Sequence, residues 1–325
     1  VISNGASGSK GPWVGLGIET VTALAIEPKP TEEAASPNHS FATAEWFDKH
    51  NLVKEANHQR TLALIKLSES HGYYLDIFRA KSDTASQFHD YMYHNAGEKV
   101  EISSRGTLLP MSDDGQRYSA SGEIVWERQD VYQYPGWHYF EEVKSSKASD
   151  KSIEAVFVAN QLGDQPIYMR ALIPAGLETE ITQVMAPKSF CAPQPYDTLQ
   201  IPTFILRHKG ETWKNPFTVV YESYDDEPVV QSVERLMDNG IFKGVKVISN
   251  PEGKTLTQYI ILQENIEDEY INTEAGFTFK GRFGLVTLDE NNTLQEIYIG
   301  NGYQLSHDQK TLKANETSHS AYLEM

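Results

Sequence analysis

The stretch from Tyr73 to Asn95, YYLDIFRAKSDTASQFHDYMYHN, sets Asp76, Arg79, His89, Asp90 and His94 among aromatic residues. Side chains of these types can exchange protons, hold an anion or ligate a cation. Neighbouring carboxylates and imidazoles serve as acid and base near neutral pH, and a guanidinium forks onto a carboxylate or sulfate. Two apolar-aromatic runs flank a polar loop, so the spacing predicts a hairpin of strands over 73–80 and 88–95. Alternation with period two then groups Asp76 with Tyr74 and Phe78, and Arg79 with Leu75 and Ile77. On the second strand His89, Tyr91 and Tyr93 share one face, while Asp90, Met92 and His94 share the other.

Three uses of these residues stay open. In the first, Asp76, Asp90 and His94 form a structural polar cluster, with a carboxylate holding an imidazole or guanidinium by charge-assisted hydrogen bonds. In the second, Arg79, His89, Tyr91 and Tyr93 line a substrate-binding groove, their aromatic faces stacking on sugar rings while Arg79 grips an anion. In the third, Asp76, Asp90 and His94 hold a structural zinc or calcium once the strands bring them together. No helical HxxxH or HExxH spacing supports that site, and no metal ligand or cofactor is assigned.

Other chemistry leaves little trace. The sequence has no GxSxG elbow, no phosphate-cradling glycine loop and no dinucleotide fingerprint. Cys191 is the only cysteine, which removes intrachain disulfides and thiolate metal clusters, and it sits in a proline-rich stretch without a neighbouring base. The aromatic run Tyr132 to Phe140 reads as core packing around a turn. A net charge of -17 argues against nucleic-acid or anionic-membrane partners, which need clustered Lys and Arg. A few arginines in one groove can still hold an anionic polymer. No apolar run reaches the roughly 18 residues of a membrane helix. The sequence does not begin with Met and reads as a mature or trimmed piece of an exported polypeptide.

These residues must be positioned by strands. Segments 61–67, 73–79, 88–94, 122–127, 153–159, 167–173, 201–207 and 217–222 alternate, carry β-branched or aromatic residues, and are separated by Gly, Pro, Asn, Asp or Ser. That pattern predicts an all-β chain built as a large antiparallel β-sandwich over 1–225. A turn at Asp225-Asp226-Glu227-Pro228 opens a second series, 245–248, 257–263, 278–288 and 294–299, which predicts a smaller β-sheet domain over 226–325. The few short helices expected fall at 42–50 and 229–237, the latter with Pro228 in its first turn.

Several segments together resemble the heparinase II/III-like polysaccharide lyases. They are Gln59-Arg60-Thr61-Leu62-Ala63-Leu64, Tyr74-Leu75-Asp76-Ile77-Phe78-Arg79, His89-Asp90-Tyr91 with His94, Pro187, and Phe217 to Tyr224. The last is similar to the family's FVxxxEPY segment with Ser223 in place of proline. The glycine-punctuated stretch Lys280-Gly281-Arg282-Phe283-Gly284 to Gly300-Asn301-Gly302 extends the likeness, which spans about residues 55 to 305. The resemblance implies a helical α/α toroid followed by a large sandwich and a small β domain, cleaving uronic-acid polysaccharides by β-elimination. In that reaction the uronate carboxylate is neutralised, a Tyr or His removes the C5 proton, and an acid protonates the leaving oxygen. The family's His-x-His motif has no counterpart here, and helices are too few for a toroid, so no catalytic residue is carried over.

The expectation is therefore the C-terminal β portion of a lyase acting on an acidic, sulfated or unsulfated polysaccharide. Its α/α toroid would lie in a missing N-terminal segment or a partner chain, and it would be secreted or periplasmic in a bacterium. The alternative is a non-catalytic carbohydrate-binding or scaffolding β-sandwich. Neither nucleic acid nor a membrane span enters either reading.

Overall fold

The computed structural model describes residues 2–6, 21–49, 51, 53–119 and 136–325. The strand expected at 122–127 and the start of the aromatic run at 132–135 lie outside the described residues. The first strands are β1 (Ile2–Ser3), β2 (Thr22–Glu27), β3 (His39–Asp48), β4 (Ala56–Lys66), β5 (Gly72–Ser82), β6 (Phe88–His94), β7 (Lys99–Ser104), β8 (Thr107–Leu108) and β9 (Ser112–Asp113). There follow β10 (Glu141–Ser145), β11 (Ile153–Ala159), β12 (Ile167–Ile173), β13 (Glu180–Ala186), β14 (Ile201–Lys209) and β15 (Phe217–Tyr224). The last are β16 (Val230–Asp238), β17 (Ile241–Ser249), β18 (Leu256–Leu262), β19 (Glu269–Asn272), β20 (Phe277–Leu288), β21 (Leu294–His307), β22 (Lys310–Lys313) and β23 (Ala321–Glu324). Among the described residues the only helical segments are short 3-10 turns, so the chain is all-β.

Strands pair into a six-stranded sheet, β1-β6-β14-β13-β10-β9, and a nine-stranded sheet, β2-β3-β4-β5-β15-β12-β11-β7-β8. An eight-stranded sheet holds β16-β17-β18-β20-β21-β22, with β19 on β20 and β23 on β21. Both expected helices are strands instead. The 42–50 segment falls largely in β3, and 229–237 falls in β16, which pairs antiparallel with β17. Asn239 and Gly240 join β16 to β17 with φ values of 50° and 79°, the two positive values of a type I′ turn, whose twist matches its flanking strands. An Asn-Gly pair between alternating runs outweighs the helix-start signal of Pro228.

Contacts divide the chain into two compact units that interleave in sequence. Unit 1 comprises Val1–Thr22, Glu45–Arg60 and Phe78–Asp226; unit 2 comprises Ala23–Ala44, Thr61–Ile77 and Glu227–Met325. Strands β3, β4 and β5 therefore each contribute to both. Burial along these strands changes parity near the change of unit in β3 and β4, while β5 is buried on both faces from Leu75 to Ala80. In unit 2 they bury Phe41, Thr43, Thr61, Ala63, Ile65, Tyr73 and Leu75. In unit 1 they bury Ala56, His58, Phe78 and Ala80, and Trp46 packs against the core.

Unit 1 is a sandwich whose core draws on both of its sheets. Phe78, Phe157, Phe217 and Tyr221 come from the nine-stranded sheet and Tyr91, Ile181, Phe204 and Leu206 from the six-stranded one. In unit 2, Phe277, Phe279, Val286, Ile297, Ile299 and Leu305 form one cluster on the eight-stranded sheet. Phe41 stacks on Phe283 at 4.2 Å with the rings 5° from parallel. That stack explains one of the punctuating glycines: a Cβ on Gly300 would lie 2.5 Å from Phe41 and 3.0 Å from Phe283. Gly300→Ala is expected to cost about 1–3 kcal/mol by overpacking. Gly115→Ala, where a Cβ meets nothing within 4 Å, should leave stability unchanged. Urea unfolding of the two variants checks the contrast.

Candidate functional site

Strands β5 and β6 do not form the expected hairpin. β5 lies between β4 and β15, whereas β6 lies between β1 and β14 in the other sheet, and the short link over 83–87 crosses from one layer to the other. Alternation along β6 holds, but its faces are used otherwise than expected. Tyr91 and Tyr93 point into the sandwich core: the Tyr91 hydroxyl is 2.7 Å from that of Tyr221, and the Tyr93 ring stacks on Tyr221 at 4.2 Å. Arg79 is 1% exposed and donates from Nη1 to the Trp213 carbonyl. His89 is 0% exposed. Arg79, His89 and Tyr91 are thus closed to a sugar because burial makes them part of the packing, and Tyr93 is tied into the same core.

Asp76, Asp90 and His94 do not converge either. Asp76 belongs to β5 and the other two to β6, so they occupy different sheets. Asp90 is held instead by Arg207, its register partner on β14, through a fork of 2.6 Å from Nε and 2.7 Å from Nη2. Tyr118 donates to the same carboxylate at 3.3 Å, and the guanidinium lies 4.4 Å over the Phe88 ring. His94 Nδ1 is 2.6 Å from the Thr203 hydroxyl. A cation at Asp90 would have to displace the guanidinium, and among the described residues no three His, Cys, Asp or Glu side chains gather as metal ligands.

A second buried polar group joins parts of unit 1 far apart in sequence. Ser3 Oγ lies 2.8 Å from His58 Nε2 and 2.8 Å from His89 Nδ1, while His89 Nε2 lies 3.0 Å from Gln87 Oε1. The donor order follows from Gln87. Its Oε1 already accepts from the Ser82 amide, so His89 carries its proton on Nε2 and accepts from Ser3 at Nδ1. The serine must then accept from His58 Nε2, leaving the buried Nδ1 of His58 as a bare lone pair. Both rings are neutral in this order. Burial lowers His58 to about 3 and His89 to about 4.

Unit 2 has its own buried carboxylates. Glu296 accepts from His39 at 3.0 Å, Thr287 at 2.7 Å and Tyr322 at 2.9 Å, and those bonds outweigh burial to hold it below the usual carboxylate range. Tyr298 donates to Glu27. Burial raises Tyr73, Tyr118, Tyr298 and Tyr322, each beside a carboxylate, so each holds its proton more firmly than a free tyrosine. A tyrosine that removes a C5 proton needs the opposite shift, driven by a neighbouring cation. Among the described residues every tyrosine with a displaced proton affinity moves up, including Tyr196, Tyr224, Tyr259, Tyr270 and Tyr303.

Open surface chemistry lies elsewhere in unit 1. Arg105 and Gly106 join β7 to β8, with φ values of 51° and 74° that again mark a type I′ turn. Beside that turn a groove of about 900 Å³ is lined by Arg105, Leu108, Asp113, Arg117, Lys147 and Lys151, among others. Arg117 is neutralised by Asp114 at 2.7 Å and Glu180 at 2.5 Å. Arg105, Lys147 and Lys151 are exposed. No alternation or motif in the sequence signals this groove, because its exposed cations come from two loops far apart in sequence, 105–106 and 147–151.

In sequence the chain is similar to polysaccharide lyases. The particular likeness is to endo-acting ulvan lyases: residues 230–325 match the model of the endo-acting ulvan lyase C-terminal domain. The endo-acting ulvan lyase of Formosa agariphila is 34% identical over 304 residues, which are 93% of this chain and 36% of that protein. The chain thus spans about a third of the length of that relative. Neither similarity is specific to the heparinase II/III-like lyases.

Two outcomes follow from the buried polar groups. Asp90→Ala strands the Arg207 guanidinium and is expected to cost about 3–5 kcal/mol, whereas Asp90→Leu combined with Arg207→Met should regain most of it. Denaturant unfolding of the single and double variants checks this. The histidines set a pH dependence with a definite sign. Their folded values lie below the unfolded value near 6.5, so the unfolded chain binds more protons between about pH 6.5 and pH 3, and stability falls as pH is lowered through that window. His58→Gln should flatten the fall between about pH 6 and pH 4 in thermal unfolding.

Proposed function

We propose that this chain is the C-terminal β portion of an endo-acting lyase for ulvan or a closely similar sulfated, uronic-acid polysaccharide. The observation that carries the reading is the 34% identity to the Formosa agariphila ulvan lyase, which runs through 93% of the chain instead of stopping at a single domain. β-Elimination needs a cation or donor on the uronate carboxylate, a base for the C5 proton and an acid for the leaving oxygen. The displaced tyrosines hold their protons, and the buried histidines His58 and His89 are tied into hydrogen bonds, so these side chains serve packing better than proton transfer.

The catalytic set on this reading lies in another segment or chain, and a helical toroid of the heparinase II/III-like kind is the architecture that fits the expectation from sequence. The β portion would support that set and engage the polymer beside it. An extracellular or periplasmic site of action accords with a polymeric substrate. Incubated with ulvan, the chain is expected to release no unsaturated uronate, as followed by ultraviolet absorbance. Deleting the matching segment from the Formosa agariphila enzyme should reduce its release of unsaturated uronate at least about tenfold, equivalent to 1.4 kcal/mol. Turnover by this chain alone, or unchanged turnover after the deletion, would sink the reading.

A further inference from the structure

We propose that the groove beside the β7–β8 turn is a binding subsite for an anionic glycan, recognising the sulfate or carboxylate groups of a chain laid along it. The inference rests on the polysaccharide reading above and assigns it a place. The first support is electrostatic. In a chain of net charge -17, Arg105, Lys147 and Lys151 gather on one groove, and among the described residues none has an ion-pair partner. The acidic residues that could cancel them are largely engaged: Asp114 and Glu180 are bound to Arg117, and Glu180 also pairs with Lys209 at 2.8 Å. Asp113 is the remaining carboxylate on the lining, so the exposed set keeps a positive excess. A surface of one sign in a groove concentrates ligands of the other sign.

The second support is the shape and chemistry of the lining. At about 900 Å³ the groove is at the upper end of the range of small-ligand sites, about 300–1,000 Å³, and has room for more than one sugar. Leu108, 67% exposed, and Pro110 offer apolar contact for the C–H faces of sugar rings. Thr107 and Ser112 add hydroxyl groups. The frame is also fixed. Arg105 is presented from a two-residue turn, and the opposite wall is tied down where Ser149 bridges Thr179 and Ser146 Oγ accepts from the Ile181 amide at 3.1 Å. Arg117 ties the floor by donating to Asp114, Glu180 and Thr182. Fixed turns spare the backbone an ordering cost on binding, so only the side-chain rotamers of the three cations need be immobilised.

The test is affinity electrophoresis of the whole chain through gels containing ulvan, dextran sulfate or uncharged dextran. The variant is Arg105→Gln, Lys147→Gln, Lys151→Gln; the charge-matched control is Lys214→Gln, Lys254→Gln, Lys310→Gln, all exposed and none on the lining of the groove. Ulvan should retard the chain and its control, dextran should not, and the groove variant should bind ulvan roughly tenfold more weakly or worse. Equal retardation of the groove variant and the wild type overturns the groove and leaves the lyase reading standing. Retardation by uncharged dextran overturns the assignment to anionic groups. No retardation by either ulvan or dextran sulfate also overturns it, while the deletion experiment on the relative judges the lyase reading independently. Should the variant fold poorly, acetylation of the wild-type chain decides: ulvan should protect Lys147 and Lys151 but not Lys254 and Lys310, and uniform labelling overturns the proposal.

Discussion

A β-strand shows alternate residues to alternate faces, so a strand that serves two cores must change which parity it buries. β3 and β4 do this within single unbroken strands, and β5 is buried on both faces where it passes from one unit to the other. In β4 the change falls between His58 and Gln59: Ala56 and His58 are buried on one side of it, and Gln59, Thr61, Ala63 and Ile65 on the other. Both units draw buried residues from these strands: Phe78 and Ala80 in the unit 1 core, and Phe41 against Phe283 in unit 2. Leu62 and Leu64 remain 46% and 44% exposed while their small or branched neighbours are packed.

Within unit 1 the burial of polar groups follows from the same layering. Asp90 and His89 sit on consecutive positions of a central strand and therefore face opposite sides of the six-stranded sheet. Each finds a partner distant in sequence: Arg207 for the carboxylate, and Ser3 with His58 for the imidazole. The Asp90–Arg207 pair is a directly opposed cross-strand pair, and a buried charge kept this way is stable only while both members remain. The histidines reach satisfaction without charge, through one directed chain of hydrogen bonds. These residues draw attention by type, but in the folded chain their side chains are engaged with one another, Asp90 with Arg207 across one sheet and His89 through Ser3 with His58 between sheets.

What the two units leave to solvent differs in kind from what they bury. Burial, with the carboxylates of Glu27 and Glu296 beside them, raises Tyr298 and Tyr322 and makes that region a poor setting for a proton-abstracting tyrosine. Exposed cations at the β7–β8 turn and the 147–151 loop lie on unit 1, where an acidic chain presents a locally positive groove. Likeness to a lyase of nearly three times the matched length places this division of labour in context: the matched portion need not carry every step of the reaction.

The sequence by itself determined that the chain is all-β and where most strands lie, because period-two alternation and turn residues are local signals. β11 and β12 coincide with the alternating runs, and Asn239-Gly240 specifies its turn by the positive φ values that these residue types tolerate. It also determined which side chains of β6 share a face. Only the tertiary structure decided which face is inside, that β5 and β6 belong to different sheets, and that Asp90 meets Arg207 and not Asp76. Alternation is symmetric between faces, and pairing between strands separated by more than a hundred residues has no local signature. The groove of Arg105, Lys147 and Lys151 was hidden for the same reason, since Arg105 on the β7–β8 turn meets the 147–151 loop only in the folded chain.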